Sequence, residues 1–275
     1  MNYHPLISII TVSYNSVQTI EETILSVINQ TYSNIEYIII DGGSNDGTVD
    51  IIKKYSNKIS YWISEPDKGI YDAMNKGALK ATGEYIQYLN SSDKIHNVNT
   101  IESIINENIN NADIIYGDII MEKEFGTFYM IPYPLDRFQI EFPIFHPSTW
   151  IKRDILIHYL FDTRFKIIAD YDLFRKLYFL KYTFQYIPIV FTDFEGINGI
   201  SSTSTFREIT EKIQLLNKNN KYYSYFHKII FYIKFFIRKN IEFTEEKINK
   251  KKQKNKVYNN FIKDSRVKII LKKNI

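Results

Sequence analysis

The residues of this sequence best suited to chemistry are carboxylates that close apolar runs. Asp93 follows the run Tyr85–Leu89 after the polar turn Asn90-Ser91-Ser92. One carboxylate beside two hydroxyls is a set of hard oxygens, suited to a divalent cation holding a phosphate. The same turn also suits a strand leading into a helix that Asp93 or a serine caps. Asp41 ends the run Glu36–Ile40 and precedes Gly42 and Gly43, which let the backbone pass close to a flat ligand. Asp46 and Thr48, later in that loop, read as helix caps. Asp67 and Lys68 close a third run, and Lys68 reads either as a charge for a phosphate or as a solvated turn residue. Asp170 and Asp172 open a helical stretch, where the dipole favours an ionised carboxylate. That is the state a general base needs. Asp172 is assigned to capping, and capping is the competing reading for Asp170.

The elements that position these groups alternate regularly. Leu6–Ser13, Glu36–Ile40, Ile59–Ile63 and Tyr85–Leu89 read as strands, the first two buried on both faces. Val17–Gln30, Val49–Tyr55 and Ile70–Ala81 read as helices; in the first, Ile20, Ile24, Val27 and Ile28 share one face. This order predicts a parallel, doubly wound sheet with right-handed crossovers. Its strand ends converge on one edge, where open α/β sheets bind ligands. Neither a G-x-G-x-x-G nor a G-x-x-x-x-G-K-[ST] segment is present there. Beyond it, Val98–Asn108 reads as a helix, Asp113–Met121 as a strand with Asp118 at the surface, Phe125–Phe142 as a loop region and Asp172–Leu180 as a helix. His146 reads either as a structural histidine or as part of a pocket.

The chain of 275 residues has room for one sizeable core and an appendage. It contains 0 Cys, which excludes disulfides and thiolate metal sites. No run reaches the roughly 18 apolar residues of a membrane span, and the expectation from Met1–Pro5 is a chain without a basic-then-apolar leader. Aromatic content is 16%, with 22 Tyr and 19 Phe, so single tyrosines carry little weight. The net charge of +4 is unevenly spread. Tyr222–Arg238 is aromatic and aliphatic with interspersed cations, and Lys247–Lys256 is strongly basic. Such a pair suits a helix lying in an anionic membrane interface; the other reading is a helix packed on the preceding domain with a solvated tail. No nucleic-acid reading motif accompanies the charge.

The succession SIITVSYN, IEYIIIDGGSNDGT, SEPDKGIYDAMNKG and GEYIQYLNSSD resembles the nucleotide-sugar half of family 2 glycosyltransferases of the GT-A fold, of the bacterial surface-polysaccharide type. The resemblance covers residues 6–205. It implies an α/β GT-A fold: a doubly wound, mostly parallel, Rossmann-like half over 1–95, an acceptor and base half over 96–205, and a basic, aromatic helical C-terminal region over 206–275. It implies donor-binding roles for Thr11, Tyr14, Asp41, Asp67, Lys68, Asn75, Ser91 and Ser92, and Asp93 as the ligand of Mg²⁺ or Mn²⁺ on the donor diphosphate. Asp170 matches the acid of the family's base motif, with Ala169 in place of its Glu. His146 falls in a segment that lines the acceptor pocket. Ser91, Gly42 and Met74 replace two acids and an arginine of the pattern, which leaves Lys68 to supply charge. Asp193–Thr203 resembles the flexible loop over the donor. The implied activity is inverting transfer from a nucleoside-diphosphate sugar, with UDP expected over GDP or dTDP, to a hydroxyl of a saccharide acceptor, lipid-linked, in surface polysaccharide biosynthesis. The implied location is cytoplasmic, in peripheral contact with the inner face of the plasma membrane. A non-catalytic nucleotide- or glycan-binding module is the alternative.

Overall fold

The computed structural model describes residues 3–109, 112–123, 126–196, 205–219 and 267–272. The basic, aromatic segments Tyr222–Arg238 and Lys247–Lys256 lie outside the described residues.

Four strands, β1 (Ile7–Ser13), β2 (Ile35–Asp41), β3 (Tyr61–Ser64) and β4 (Tyr85–Tyr88), form the parallel half in the order β3-β2-β1-β4. Helices α1 (Ile20–Ile28), α2 (Thr48–Lys54) and α3 (Ile70–Lys80) make the crossovers. The alternation of side chains along each strand explains why both faces are covered. Ile10, Val12, Ile38 and Ile40 face one core, where Met74 and Ala78 of α3 meet them. Ile7, Ile9, Tyr37 and Ile39 face the other, against Ile20, Ile24 and Val27 of α1. A side chain of this size removed from water contributes about 1.5–3 kcal/mol, so each strand is pinned from two sides.

The second half joins through antiparallel pairs. After β5 (Lys94–Ile95) and α4 (Thr100–Ile105) come β6 (Ile114–Lys123), β7 (Gly126–Met130), β8 (Thr149–Lys152), α5 (Arg153–Tyr159), α6 (Ala169–Phe179) and β9 (Phe184–Glu195). β8 runs antiparallel between β4 and β6. β9 runs parallel along β6 and then pairs with β5. The C-terminal region opens with a helix, α7 (Thr205–Asn219), and its last described segment is a strand, β10 (Val267–Lys272), antiparallel to β7. Of the expected loop Asp193–Thr203, residues 193–195 complete β9, Gly196 donates its amide to Glu122 O at 3.1 Å, and 197–203 lie outside the described residues.

Four expectations shift. The segment Phe125–Phe142, expected as a loop region, contains the strand β7, which pairs with β6. The C-terminal region, expected as helical, also supplies the strand β10 against β7. α6 begins at Ala169 rather than Asp172, so Asp170 lies inside the first helical turn. Asp118 is fully buried in β6, not at the surface.

Gly117 sits where β9 changes register against β6. A Cβ there would lie 2.4 Å from the Phe191 ring and 2.7 Å from Ile189 O. Neither a fully buried ring nor a backbone carbonyl yields easily, so overpacking outweighs alanine's entropic advantage. Gly117→Ala is expected to lower unfolding free energy by about 1–3 kcal/mol in denaturant titration.

Candidate active site

The sheet edge at the ends of β1, β2 and β3 is built around Asp41. The register Ser13↔Asp41↔Ser64 brings the last residues of β1, β2 and β3 side by side. Asp41 Oδ1 accepts from Ser13 Oγ at 2.8 Å and Ser44 Oγ at 2.6 Å. Its Oδ2 accepts from Ser64 Oγ at 2.6 Å and from the amides of Ser44 and Gly43 at 2.8 and 3.1 Å. Burial pushes this carboxyl up, but the hydrogen bonds from Ser44, Ser64 and Ser13 win, and its pKa lies below the usual value. Gly43 takes φ 84°, a conformation that favours glycine, to turn its amide back to Asp41.

Gly42 solves a packing problem. A Cβ on it would stand 2.5 Å from Asp67 Oδ2 and 3.3 Å from the Tyr14 ring. Asp67, from the β3–α3 loop, fills the space that a side chain at position 42 would take. Asp67 is anchored by accepting the Gly69 amide through Oδ1 at 2.8 Å. Tyr14 is 65% exposed and open to a ligand. Thr11 is placed differently from the expectation: it is fully buried, with Oγ1 3.0 Å from Tyr37 Oη, and supports the edge from beneath rather than reaching it.

The turn after β4 lies beside this loop. Ser91 donates its amide to Val12 O at 3.3 Å, and its Oγ lies 2.7 Å from Ser16 Oγ. Ser92 is half-buried in the same turn. Asp93 is buried, and its Oδ1 accepts the Glu195 amide of β9 at 3.2 Å. Its Oδ2 and the Oδ1 of Asn90 are buried without a hydrogen-bond partner. Burial, opposed mainly by the Glu195 amide, raises the Asp93 carboxyl to about 7. Two unsatisfied hard oxygens are costly unless a ligand claims them, and a divalent cation fits them. No cluster of three or more His, Cys, Asp and Glu suited to a metal occurs among the described residues. A cation here would therefore take one carboxylate and one amide oxygen from the protein, the rest from ligand phosphate and water. Asn90 was legible only as a turn residue, because Asn is ordinary in turns.

Asp170 lies across the edge. Its Oδ1 accepts the Tyr171 amide at 2.8 Å and lies 2.9 Å from Tyr71 Oη, whose proton it shares with Ile167 O at 2.7 Å. Its Oδ2 faces His146 Nδ1 at 3.6 Å, beyond hydrogen-bond range. Burial lowers the His146 pKa although Asp170 pulls it upward, which favours the neutral ring. His146 Nε2 is buried without a partner, and the ring packs against Tyr88, Phe161 and Phe174. Oδ1 is thus fixed by two donors while Oδ2 is left for a proton. Tyr71 sits inside the GIYDAMNKG segment, but nothing in the local pattern marks its partner 99 residues away.

Lys68 is exposed and lines a cavity of about 250 Å³ with Tyr71, Asp72, Phe165, Lys166 and Arg207. Three cations therefore gather beside the Tyr71–Ile167 wall that holds Asp170. Asn75 is also placed differently from the expectation. Its amide group donates to Phe161 O and accepts from the Phe161 amide, both at 2.9 Å, so it ties α3 to the loop before α6. Met74 is buried in the core and faces away from the edge. Asp118 is held by the Tyr129 hydroxyl and, at 2.7 Å, the Tyr186 hydroxyl. Its donors come from β7 and β9, which local sequence cannot reveal.

Asp41→Asn puts an amide N–H₂ where donors already converge, and is expected to cost about 2–3 kcal/mol in chemical unfolding. The pH dependence has a definite sign. Asp41 is depressed in the folded state, so its contribution is complete above the unfolded carboxyl value of about 3.9 and is lost as pH falls through the lower folded value. Wild-type stability is expected to drop more steeply than that of Asp41→Asn below about pH 4.

The sequence model described as glycosyl transferase family 2 matches residues 8–172. A PGL/p-HBAD biosynthesis glycosyltransferase of Mycobacterium bovis is 26% identical over 219 residues, spanning 77% of this chain and 85% of the relative. An uncharacterized glycosyltransferase of Rickettsia typhi is 35% identical over 189 residues, 63% of this chain and 59% of the relative. Among solved structures, S. aureus TarS 1-349 in complex with UDP-GlcNAc superposes with a TM-score of 0.60 at 18% identity, covering 77% of this chain and 70% of that one. The chain spans only 38% of the longer TarS structure. The mannosyltransferase PcManGT from Pyrobaculum calidifontis, in complex with GDP-Man and Mn²⁺, superposes at 0.58 with 18% identity, covering 78% and 64%. Identities this low establish a shared GT-A fold, while the family match covers more than half of the sequence: the chain belongs to glycosyl transferase family 2.

Proposed function

We propose that this glycosyltransferase moves a sugar from a nucleoside-diphosphate donor, UDP before GDP or dTDP, to a hydroxyl of a saccharide acceptor with inversion at the anomeric carbon. The observation that carries the reading is Asp170: a carboxylate in the first turn of α6, one oxygen pinned by Tyr71 and Tyr171, the other turned toward a neutral histidine. An acid held through one oxygen keeps the other for the acceptor's proton, as a general base requires. Asp170 Oδ2 takes the proton of the acceptor hydroxyl. The acceptor oxygen bonds to the anomeric carbon as that carbon's bond to the diphosphate oxygen breaks, so a single displacement inverts the centre. His146 shields Oδ2 on the acceptor side. Tyr14, Asp41 and Asp67 form the nucleoside wall, with Ser91, Ser92 and Lys68 toward the diphosphate; Thr11 and Asn75 support them from behind.

Asp93 and Asn90 would hold Mg²⁺ or Mn²⁺, which when bound offsets the charge that develops on the leaving diphosphate. The two orphaned oxygens support this assignment. A lipid-linked acceptor for surface polysaccharide synthesis would bring a phosphate to Lys68 and Lys166 beside the base wall, Arg207 there being paired with Glu211. Contact with the inner membrane face rests on the composition of 222–238 and 247–256; no described helix is long and apolar enough to cross a membrane.

Nucleotide release from a panel of donors tests the base. Asp170→Asn is expected to lower kcat by about 10²–10⁴-fold with donor KM little changed, and wild-type turnover would remove Asp170 from the mechanism. Thermal shift tests the metal and the nucleotide together. At ligand near 100 times Kd, one diphosphate with Mn²⁺ is expected to add about 2.7 kcal/mol of stability. In Asp93→Asn the metal-dependent part disappears; an unchanged shift would refute the assignment of that turn.

A further inference from the structure

Glu211 lies on α7, beyond the matched segment 8–172, yet its carboxylate sits at the entrance to α6. The residue is 6% exposed. Its Oε1 accepts the Lys166 amide at 2.9 Å, and its Oε2 accepts the amides of Ile167 at 2.9 Å and Ile168 at 3.3 Å. Arg207, one turn earlier on α7, lies 3.3 Å from Oε1 and compensates the buried charge. Three consecutive backbone donors thus converge on one side chain from a distant part of the chain. The strap they form ends two residues before Asp170.

Ile167 is consequently held at both its N–H and its carbonyl. Glu211 takes its N–H, and Tyr71 shares its proton between the Ile167 carbonyl and Asp170 Oδ1. The same strap, through Lys166 and Ile167, walls the cavity beside the base, and Lys166 Nζ reaches Lys68 O at 2.9 Å. Ile168, the residue that precedes the first turn of α6, makes no side-chain cap hydrogen bond. We propose that Glu211 is a positioning residue for the catalytic base: it sets the height of the Lys166–Ile168 strap, and through Ile167 and Tyr71 the orientation of the Asp170 carboxylate. The proposal rests on Asp170 being the base.

The carboxylate is needed for its acceptors. A glutamine at 211 must turn an N–H₂ toward at least one backbone N–H, so it cannot satisfy the strap. Glu211→Gln is expected to lower kcat roughly 10- to 100-fold, as small misplacements of reacting groups do, to shift the midpoint of the pH profile of kcat, and to leave donor KM within about twofold. Glu211→Asp keeps charge and acceptors on a shorter arm and is expected to fall between wild type and the glutamine variant. Glu208→Gln, on the same helix and paired with Lys212 at 2.6 Å, is expected to behave as wild type. Melting temperatures recorded alongside separate turnover from folding. If the glutamine variant does not fold, the aspartate variant carries the test: reduced kcat at unchanged donor KM supports positioning, and wild-type kcat overturns it. Donor KM rising as steeply as kcat falls, or an unmoved pH profile in the glutamine variant, also overturns it. Asp170→Asn runs in the same assay. If that variant is inactive while Glu211→Gln is unaffected, only the positioning role fails; if Asp170→Asn turns over normally, the base assignment itself fails.

Discussion

One carboxylate, that of Asp41, ties the ends of three adjacent parallel strands into a single edge. Burying an ion is expensive unless donors surround it, and here Ser13, Gly43, Ser44 and Ser64 all point inward to satisfy it. That demand shapes what lies around it. Gly43 adopts a left-handed turn to aim its amide, Gly42 stays bare so that Asp67 can approach, and Tyr14 is left at the surface beside them. The exposed side of this edge is the reverse of an arrangement whose inward side keeps Asp41 ionised by hydrogen bonding.

Helix α3 carries this edge to the rest of the site. Its Gly77 lies so close to β1 that a Cβ would fall 2.5 Å from Ile10 Cγ2. Its Tyr71 reaches Asp170, its Asn75 clasps Phe161, and the Met74 carbonyl accepts from Tyr88 at the end of β4. The strand-end edge and Asp170 are thus fixed to one element, which is how two groups are kept in register without a covalent tie. The turn bearing Asp93 receives a similar brace from β9 through the Glu195 amide.

The parallel half was legible in detail. Tyr85–Leu89 and Ile70–Ala81 as read from pattern fall within one residue of Tyr85–Tyr88 and Ile70–Lys80, because buried β-branched runs and helical periodicity are local properties. Asp41, Asp93 and Asp170 stood out as candidates for the same reason: each closes or opens an element. Other positions misled. Asp118 looks like a surface acid until Tyr129 and Tyr186 arrive from two other strands. Thr11 and Asn75 sit in the right motifs, but the alternation of β1 turns Thr11 inward and the pitch of α3 turns Asn75 toward Phe161. The start of α6 was misplaced because the acid that organises it, Glu211, belongs to another helix.

What the sequence determined by itself was the order of elements and the chemistry of their ends. Two-residue and 3.6-residue periods decide where strands and helices run, and the right-handed crossover then sends every parallel strand end to one edge. Tertiary structure decided which polar groups meet there. Asp170 acquires Tyr71 across 99 residues, and Asp93 acquires the Glu195 amide across 102. Such pairings carry no period. They arise where packing of two cores leaves a buried acceptor facing a donor, and only the folded chain places the two within hydrogen-bond reach.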